Sequence, residues 1–463
     1  MKLAVIGAGG VRTPLIIEAI LRRQDRIGIT DLSLMDIDGH RLEIIAALTS
    51  HLETTNQIKF RINRTTDPGQ ALEGADFVIM TFRVGGIESR VIDEQVPLSF
   101  GVLGQETTGA GGFAMGMRTI PVLLGYLQIM HQVCPEAWLI NFANPAGMIT
   151  ESATRLGGWK RAVGICDTPS GMLRSFANLI GAKPDQVTLG YFGLNHLGWI
   201  RSIQYAGQDH LSKLIQMMTS SDSLPGVPFE PALVQTLGMI PNEYLYYYYY
   251  SHQVVENILL AGQSRGEEIA ALNKTLYADL DNLMANRSSE RFLQMRSRYN
   301  AYLNCRGETY MARETGRPHT RINNTTKTER PQEQGEEDEG YAGVALDLIE
   351  GLRGNQPVQM VLNIPNSEAI AAMEPEDIVE VPAQVTRDHI HPFTVGEIPD
   401  HCLGLIKQVK SYERLTIEAS SQGSYNKAQL ALTIHPLVRD NNLAKGILDA
   451  YIHKHGNYFP VLT

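Results

Sequence analysis

The sequence predicts an α/β protein built on a doubly wound parallel, Rossmann-like sheet with a second, mixed α/β lobe. Three observations carry that prediction. Residues Lys2 to Ile6 form an apolar run that meets Gly7-Ala8-Gly9-Gly10 and then a helically spaced apolar stretch from Leu15 to Leu21, which reads as strand, tight turn and helix. Strand-like and helical segments then alternate through the first third of the chain, as parallel crossovers require. At 463 residues the chain exceeds one ordinary core, so a second lobe is expected. We set the division at 1–170, dinucleotide-binding, and 171–463, for substrate, metal and oligomerisation.

In the first turn, Gly7, Gly9 and Gly10 are cofactor-binding candidates, because N–H groups at a helix start face a dinucleotide pyrophosphate. The third glycine of a G-x-G-x-x-G fingerprint falls at Arg12, so this motif alone fits a nucleotide and a plain strand-turn-helix connection equally. The strand Leu32 to Met35 ends at Asp36, where a carboxylate accepts both ribose hydroxyls of NAD. It also fits a strand-end turn with Asp38-Gly39. A helix to about Leu52, a strand from Ile58 to Ile62, the turn Ala71 to Asp76 and a strand from Phe77 to Thr81 continue the alternation. Further strands are expected at Trp138 to Asn141 and Ala162 to Ile165. Polar motifs follow these strands: Arg83-Val84-Gly85-Gly86, Asn141 to Pro145, and Cys166-Asp167. That edge is where doubly wound sheets bind ligands. Gly104 to Gly112 reads as a loop too glycine-rich for side-chain packing, open to a cofactor or sugar ring or simply flexible.

Cys166 closes one strand and His196 lies in the turn after the next. A thiolate and an imidazole suit a borderline divalent ion, and two ligands leave positions for substrate, unlike a four-ligand structural zinc. Asp167 can move a proton beside such an ion. Taken alone, a strand-end cysteine and a turn histidine are more often core residues.

A net charge of -10 and the lack of a dense Lys/Arg cluster argue against nucleic acid. Cys134, Cys166, Cys305 and Cys402 show no pairing rhythm and the start reads straight into a strand, so we expect a reducing, cytoplasmic protein. No membrane partner is expected, since Val122 to Met130 is broken by Gly125 and Gln128, short of the ~18 apolar residues of a span.

On Arg83 to Gly86, Arg90 with Asp93-Glu94-Gln95, Gly104 to Gly112, Asn141 to Gly147, Gly164-Ile165-Cys166, Gly193 to His196 and Pro241 to Leu245, the chain resembles the NAD- and metal-dependent glycosidases of glycoside hydrolase family four, the phospho-glucosidases among them. These are exceptions to the two-carboxylate glycosidase. The resemblance implies that NAD takes hydride from sugar C3, a base removes the acidified C2 proton, and the glycosidic oxygen leaves C1. Water then adds and the hydride returns. It further implies NAD and Mn2+ or another divalent ion, with Cys166 and His196 as metal ligands, Tyr244 as C2 base and Asp167 as general acid. Gly7, Gly9, Gly10, Asp36 and Arg83 would hold the cofactor. Arg90, Glu106, Asn144, Asn195 and Arg265 would bind substrate, the two arginines on a 6-phosphate. A free tyrosine titrates near ~10, so Tyr244 needs a metal or cation to lower it; the run Tyr246 to Tyr250 also suits a packed aromatic helix. Asp167 is like the α-specific branch, whereas Gly85-Gly86, Thr107 to Gly112 and Asn144 to Met148 are like the β-specific branch, towards which the reading leans. A 6-phospho-α-glucosidase, a glycosidase for unphosphorylated sugars and a malate-type NAD-dependent dehydrogenase are the alternatives. Arg12 could join a phosphate site or the cofactor pyrophosphate. A homodimer or homotetramer is implied.

Beyond Trp199 the pattern predicts helices at Tyr244 to Leu260, Glu267 to Leu293, Tyr341 to Leu352, Leu403 to Glu418 and Ser424 to Thr433. Extended pieces are expected at Val358 to Asn363, Ile378 to Val381 and Ile390 to Pro392. Thr315 to Glu339 is almost free of apolar residues and is read as a solvated loop, closing over the site or disordered.

Overall fold

The computed structural model describes residues 1–55, 58–220, 224, 227–285, 290–317, 340–354 and 356–463. The polar stretch from Thr315 to Glu339 lies, beyond residue 317, outside the described residues.

Six strands run parallel: β1 (Lys2–Ile6), β2 (Asp31–Met35), β3 (Arg61–Thr65), β4 (Phe77–Met80), β5 (Trp138–Asn141) and β6 (Ala162–Gly164), in the order β3-β2-β1-β4-β5-β6. This is the doubly wound order, whose crevice opens beyond the carboxyl ends of β1 and β4. A hairpin of β7 (Thr188–Leu194) and β8 (Leu197–Tyr205), with β9 (Gln208–Asp209) and β10 (Ile240–Pro241), makes a second, antiparallel sheet. Then β11 (Val358–Pro365), β12 (Ile378–Thr386) and β13 (His389–Pro392) return to the first sheet, β11 pairing antiparallel with β6 through Asn363 and Gly164. Among the described residues this sheet has nine strands, and its main hydrophobic core runs through both parts of the chain, with a smaller cluster around Leu48, Leu280 and Tyr299.

Several boundaries differ from the sequence pattern for identifiable reasons. β3 begins at Arg61, not Ile58, because it is a polar edge strand held by pairing with β2, where Arg61 Nε donates to Asp31 Oδ1 at 2.8 Å. The stretch expected as one helix from Tyr244 is three pieces, Glu243–Leu245, Tyr246–Tyr249 and Ser251–Ala261. The next helix, Arg265–Ala285, starts with a capping box: Glu267 N donates to Ser264 Oγ and Ser264 N to Glu267 Oε2 at 2.8 Å. Its described part runs to Ala285, residues 286–289 lie outside the described residues, and a further helix, Arg291–Glu308, was not marked by its mostly polar sequence.

Gly109 to Gly112 are not loop but the first turn of the helix Gly109–Val133. A Cβ on Gly104 would sit 2.0 Å from Glu94 O, one on Gly111 2.0 Å from Gln105 O, and one on Gly112 2.5 Å from Thr107 O. Their close approach is to the protein's own backbone. By length and composition that helix does meet the test for a membrane span, which the pattern had not indicated, but 61% of its most apolar window is buried inside the protein.

Candidate active site

The glycine turn is fastened to β2: Gly7 N and Ala8 N both donate to Met35 O at 2.9 Å. Gly7 has φ 94, and a Cβ there would lie 2.7 Å from Phe82 N, so only glycine fits. Asp36 at the end of β2 accepts Gly9 N (2.8 Å) on one oxygen and Asp38 N (3.0 Å) on the other. It is both the strand-end turn residue and a wall of a cavity of about 960 Å³. Gly7, Gly9, Gly10, Arg83 and Asn144 line the same cavity. The second part of the chain grips the turn from outside, Tyr277 donating to Gly9 O at 2.8 Å and Tyr299 to Val11 O at 2.7 Å. Arg12, where a third glycine would fall, caps the helix Thr13–Ile27 and stacks its guanidinium 4.0 Å from the Tyr341 ring centroid.

An adjoining cavity of about 850 Å³ shares Arg12, Arg90, Glu106, Asn144, Asp167, Arg306 and Tyr341 with the first. His196 reaches it from a two-residue hairpin turn between the paired Leu194 and Leu197, and takes φ 61 to do so. The left-handed conformation is uncommon for a non-glycine residue. Gly193 and Gly198 make room, since a Cβ on either would fall 2.1 or 2.2 Å from Leu197 O or Tyr191 Oη. His196 Nε2 lies 3.5 Å from Cys166 Sγ, and its ring stacks on Tyr244 with centroids 3.6 Å apart. Thr107 fixes the tautomer. Its hydroxyl donates to Gln105 Oε1 (3.0 Å), so it accepts from His196 Nδ1 (2.9 Å) and leaves the Nε2 lone pair facing the sulfur. Burial keeps this imidazole neutral, lowering its pKa to about 3. Burial, then the charges of Glu380 and Asp167, push the Cys166 thiol well above its ordinary value. Among the described residues no third Cys, His, Asp or Glu joins the pair in a three-ligand group.

Asp167 follows Cys166 in the first turn of the helix Asp167–Ile180, where the helix dipole favours a carboxylate. Tyr244 is placed by Asn242, whose side chain caps its N–H at 3.0 Å. Its hydroxyl lies 3.2 Å from that of Tyr310, which donates to Glu243 Oε1 at 2.7 Å. Burial, then Cys166 and Glu243, push the Tyr244 hydroxyl well above 10. Burial likewise pushes Glu243 up to about 7.

The arginines do not stand alone. Arg83 Nη2 meets Glu106 Oε2 at 2.5 Å, while Arg90 bridges Glu94 (2.9 Å) and Glu106 (3.1 Å). Burial opposes ionisation of Glu106, but Arg83 and then Arg90 outweigh it and hold that carboxyl at about 2. Arg265 lines the cavity while donating to Glu268, Thr309 and the carbonyl of Arg306, each at 2.5 Å. Asn195 is not brought to the cavity wall; it donates to the buried Glu380 at 3.2 Å. Sequence reasoning gave no role to Glu243, Tyr310, Tyr341, Thr107 or Arg306. Arg306 lines both cavities, and among the described residues its guanidinium donates to Tyr302 (2.8 Å) and pairs with no carboxylate. Only Glu243 and Thr107 lay inside quoted motifs.

A dinucleotide-type crevice opening into a second cavity, with a buried thiol–imidazole pair beside a tyrosine and an aspartate, defines an enzyme of the doubly wound nucleotide-binding class. The model for family 4 glycosyl hydrolases matches residues 2–182, and the model for the C-terminal domain of that family matches residues 191–438. The chain belongs to the family 4 glycosyl hydrolases. It is 32% identical to a probable 6-phospho-beta-glucosidase of Bacillus subtilis (strain 168), over 99% of this chain and 97% of the relative. It is also 28% identical to 6-phospho-alpha-glucosidase 1 of Lacticaseibacillus paracasei, over 99% and 98%. The structure resembles that of the 6-phospho-beta glucosidase from Thermotoga maritima, solved with manganese, NAD+ and glucose-6-phosphate, with a TM-score of 0.82, 27% identity and full coverage of both chains.

Proposed function

We propose that this enzyme hydrolyses 6-phospho-glucosides, β-linked in preference, with NAD and a divalent ion such as manganese, acting as a homo-oligomer. The observation that carries the reading is the Cys166–His196 pair, 3.5 Å apart, with Tyr244 stacked on the imidazole and both rings lining the smaller cavity. The donor set fits the ion: a soft sulfur and a neutral imidazole whose tautomer presents its lone pair, with no third Cys, His, Asp or Glu among the described residues to close the sphere. The glycine turn and Asp36 fit the dinucleotide. When bound, NAD supplies a hydride acceptor and the ion a Lewis acid with positive charge beside Cys166 and Tyr244.

The protein's own residues do the rest. Tyr244 first passes its own hydroxyl proton through Tyr310 to the Glu243 carboxylate and then, as phenolate, takes the C2 proton. Asp167 enters this step as the protonated acid and donates to the leaving oxygen, becoming the carboxylate that the helix N-terminus favours, and Arg90, Arg265 and Arg306 favour an anionic sugar substituent. The α-linked reading rests on the Asp167 carboxylate, which lines the cavity and matches the α-specific pattern. The test is p-nitrophenol release from α- and β-glucosides with and without a 6-phosphate, each with NAD, manganese and reductant present or omitted. Cleavage of the phosphorylated β-substrate only with cofactor and metal is expected. Preference for the α-anomer would overturn the linkage, and NADH accumulating from a hydroxy acid without aglycone release would overturn the glycosidase.

A further inference from the structure

The C-terminal segment beyond residue 440 lies outside both family matches, yet Asn457, Tyr458, Phe459 and Pro460 line the larger cavity. Three large apolar side chains that remain exposed in the folded chain, Ile37 (85%), Val122 (37%) and Tyr458 (58%), all lie on that cavity's wall. Exposed apolar groups gathered around one cavity mark a ligand surface. Beside them are Pro121 and the Phe82–Tyr126 ring pair, with centroids 5.3 Å apart, and Tyr126 Oη reaches Met35 Sδ at 3.9 Å, at the end of β2 next to Asp36. The shared wall with the second cavity carries Glu106, Asn144 and Asp167 and is polar. A flat, weakly polar heteroaromatic ring suits the apolar end; a charged pyridinium with a carboxamide suits the polar one.

The backbone that carries Tyr458 is anchored. The Tyr458 ring lies 3.4 Å from where a Cβ on Gly85 would stand. It follows the helix Asn441–His455, which is locked under the cavity by a fully buried cluster. In that cluster Arg118 donates to both oxygens of Asp93 at 2.6 and 2.7 Å, and His455 Nε2 lies 2.9 Å from Arg118 and 3.0 Å from Asp93. Tyr451 donates to Asp93 O at 2.8 Å, and Arg118 Nε reaches Val84 O at 3.4 Å. The same charges therefore fix the C-terminal wall and the Val84–Gly86 turn facing it.

We propose that the C-terminal segment completes the adenine subsite of the dinucleotide cavity, with the Tyr458 ring as a stacking platform facing Ile37 and Val122. This rests on the NAD reading above. The test is titration of NAD, AMP and nicotinamide mononucleotide against the full-length wild type, Tyr458→Ala and Tyr458→Phe. Removing the ring should raise the Kd for NAD and for AMP about tenfold, within the range of base–aromatic stacking, and leave nicotinamide mononucleotide unchanged. The phenylalanine variant, which keeps the ring, should bind like wild type. Unchanged NAD and AMP affinity in Tyr458→Ala, or a loss confined to nicotinamide mononucleotide, would overturn the subsite. A wild type that binds no NAD at all would overturn the cofactor reading instead.

Discussion

The two cavities meet at Arg12, Glu106, Asn144 and Asp167 but are built by different physics. The larger cavity is shaped largely by backbone: a glycine turn bonded to Met35 O, a carboxylate at a strand end, and apolar walls. The smaller is lined by paired ionic and polar groups, Arg90 against Glu94 and Glu106, Arg265 against Glu268, and Glu243 against Tyr310. A cavity made of backbone should tolerate pH change. One made of buried ionic groups should not, because each unpaired charge left behind carries its desolvation cost.

That contrast can be tested from its strongest consequence downward. Cys166→Ser should lower kcat by roughly three orders of magnitude, the scale of a lost metal-based charge stabilisation, while NAD affinity followed by fluorescence titration stays within about twofold of wild type. Full activity would remove the thiol from the metal site. The pH response should come next. Burial raises Glu243 to about 7 from its ordinary 4.5, so the folded state holds this proton more tightly than the unfolded state. Stability is then greatest below about 4.5 and falls as pH rises towards 7, by at most about 3 kcal/mol. Glu243→Gln should abolish that slope in urea melts taken across this range; an unchanged slope would place its origin elsewhere. On the backbone-built side, Asp36→Asn should raise the Kd for NAD by roughly 10- to 100-fold, the worth of charge-assisted hydrogen bonds, without altering the sugar KM at saturating NAD. The smallest effect expected is in Arg306→Gln, where KM for a 6-phosphorylated substrate should rise about tenfold with kcat little changed. An equal rise for the unphosphorylated analogue would show that Arg306 shapes the cavity without reading charge.

Much of the first sheet was legible because its central strands are short apolar runs closed by turn residues, the pattern that burial on both faces imposes. The edge strand β3 was misplaced since Arg-Ile-Asn-Arg-Thr has no apolar run to find. The helix Arg291–Glu308 was missed because few of its residues are buried. Local motif pointed to Cys166, His196, Tyr244 and Asp167, and the structure brings His196, Tyr244 and Asp167 to the wall of one cavity, with Cys166 against the His196 imidazole.

By itself, the sequence determined the glycine turn, the carboxylate at the end of β2 and the residue types of the thiol–imidazole pair, because each is written in a few contiguous positions whose backbone geometry is local. Tertiary structure alone decided that Glu106 lies between Arg83 and Arg90, that Tyr310 links Tyr244 to Glu243, and that Tyr458 lines the larger cavity. Those contacts join residues far apart in the chain, and their strength depends on how completely folding excludes water from them.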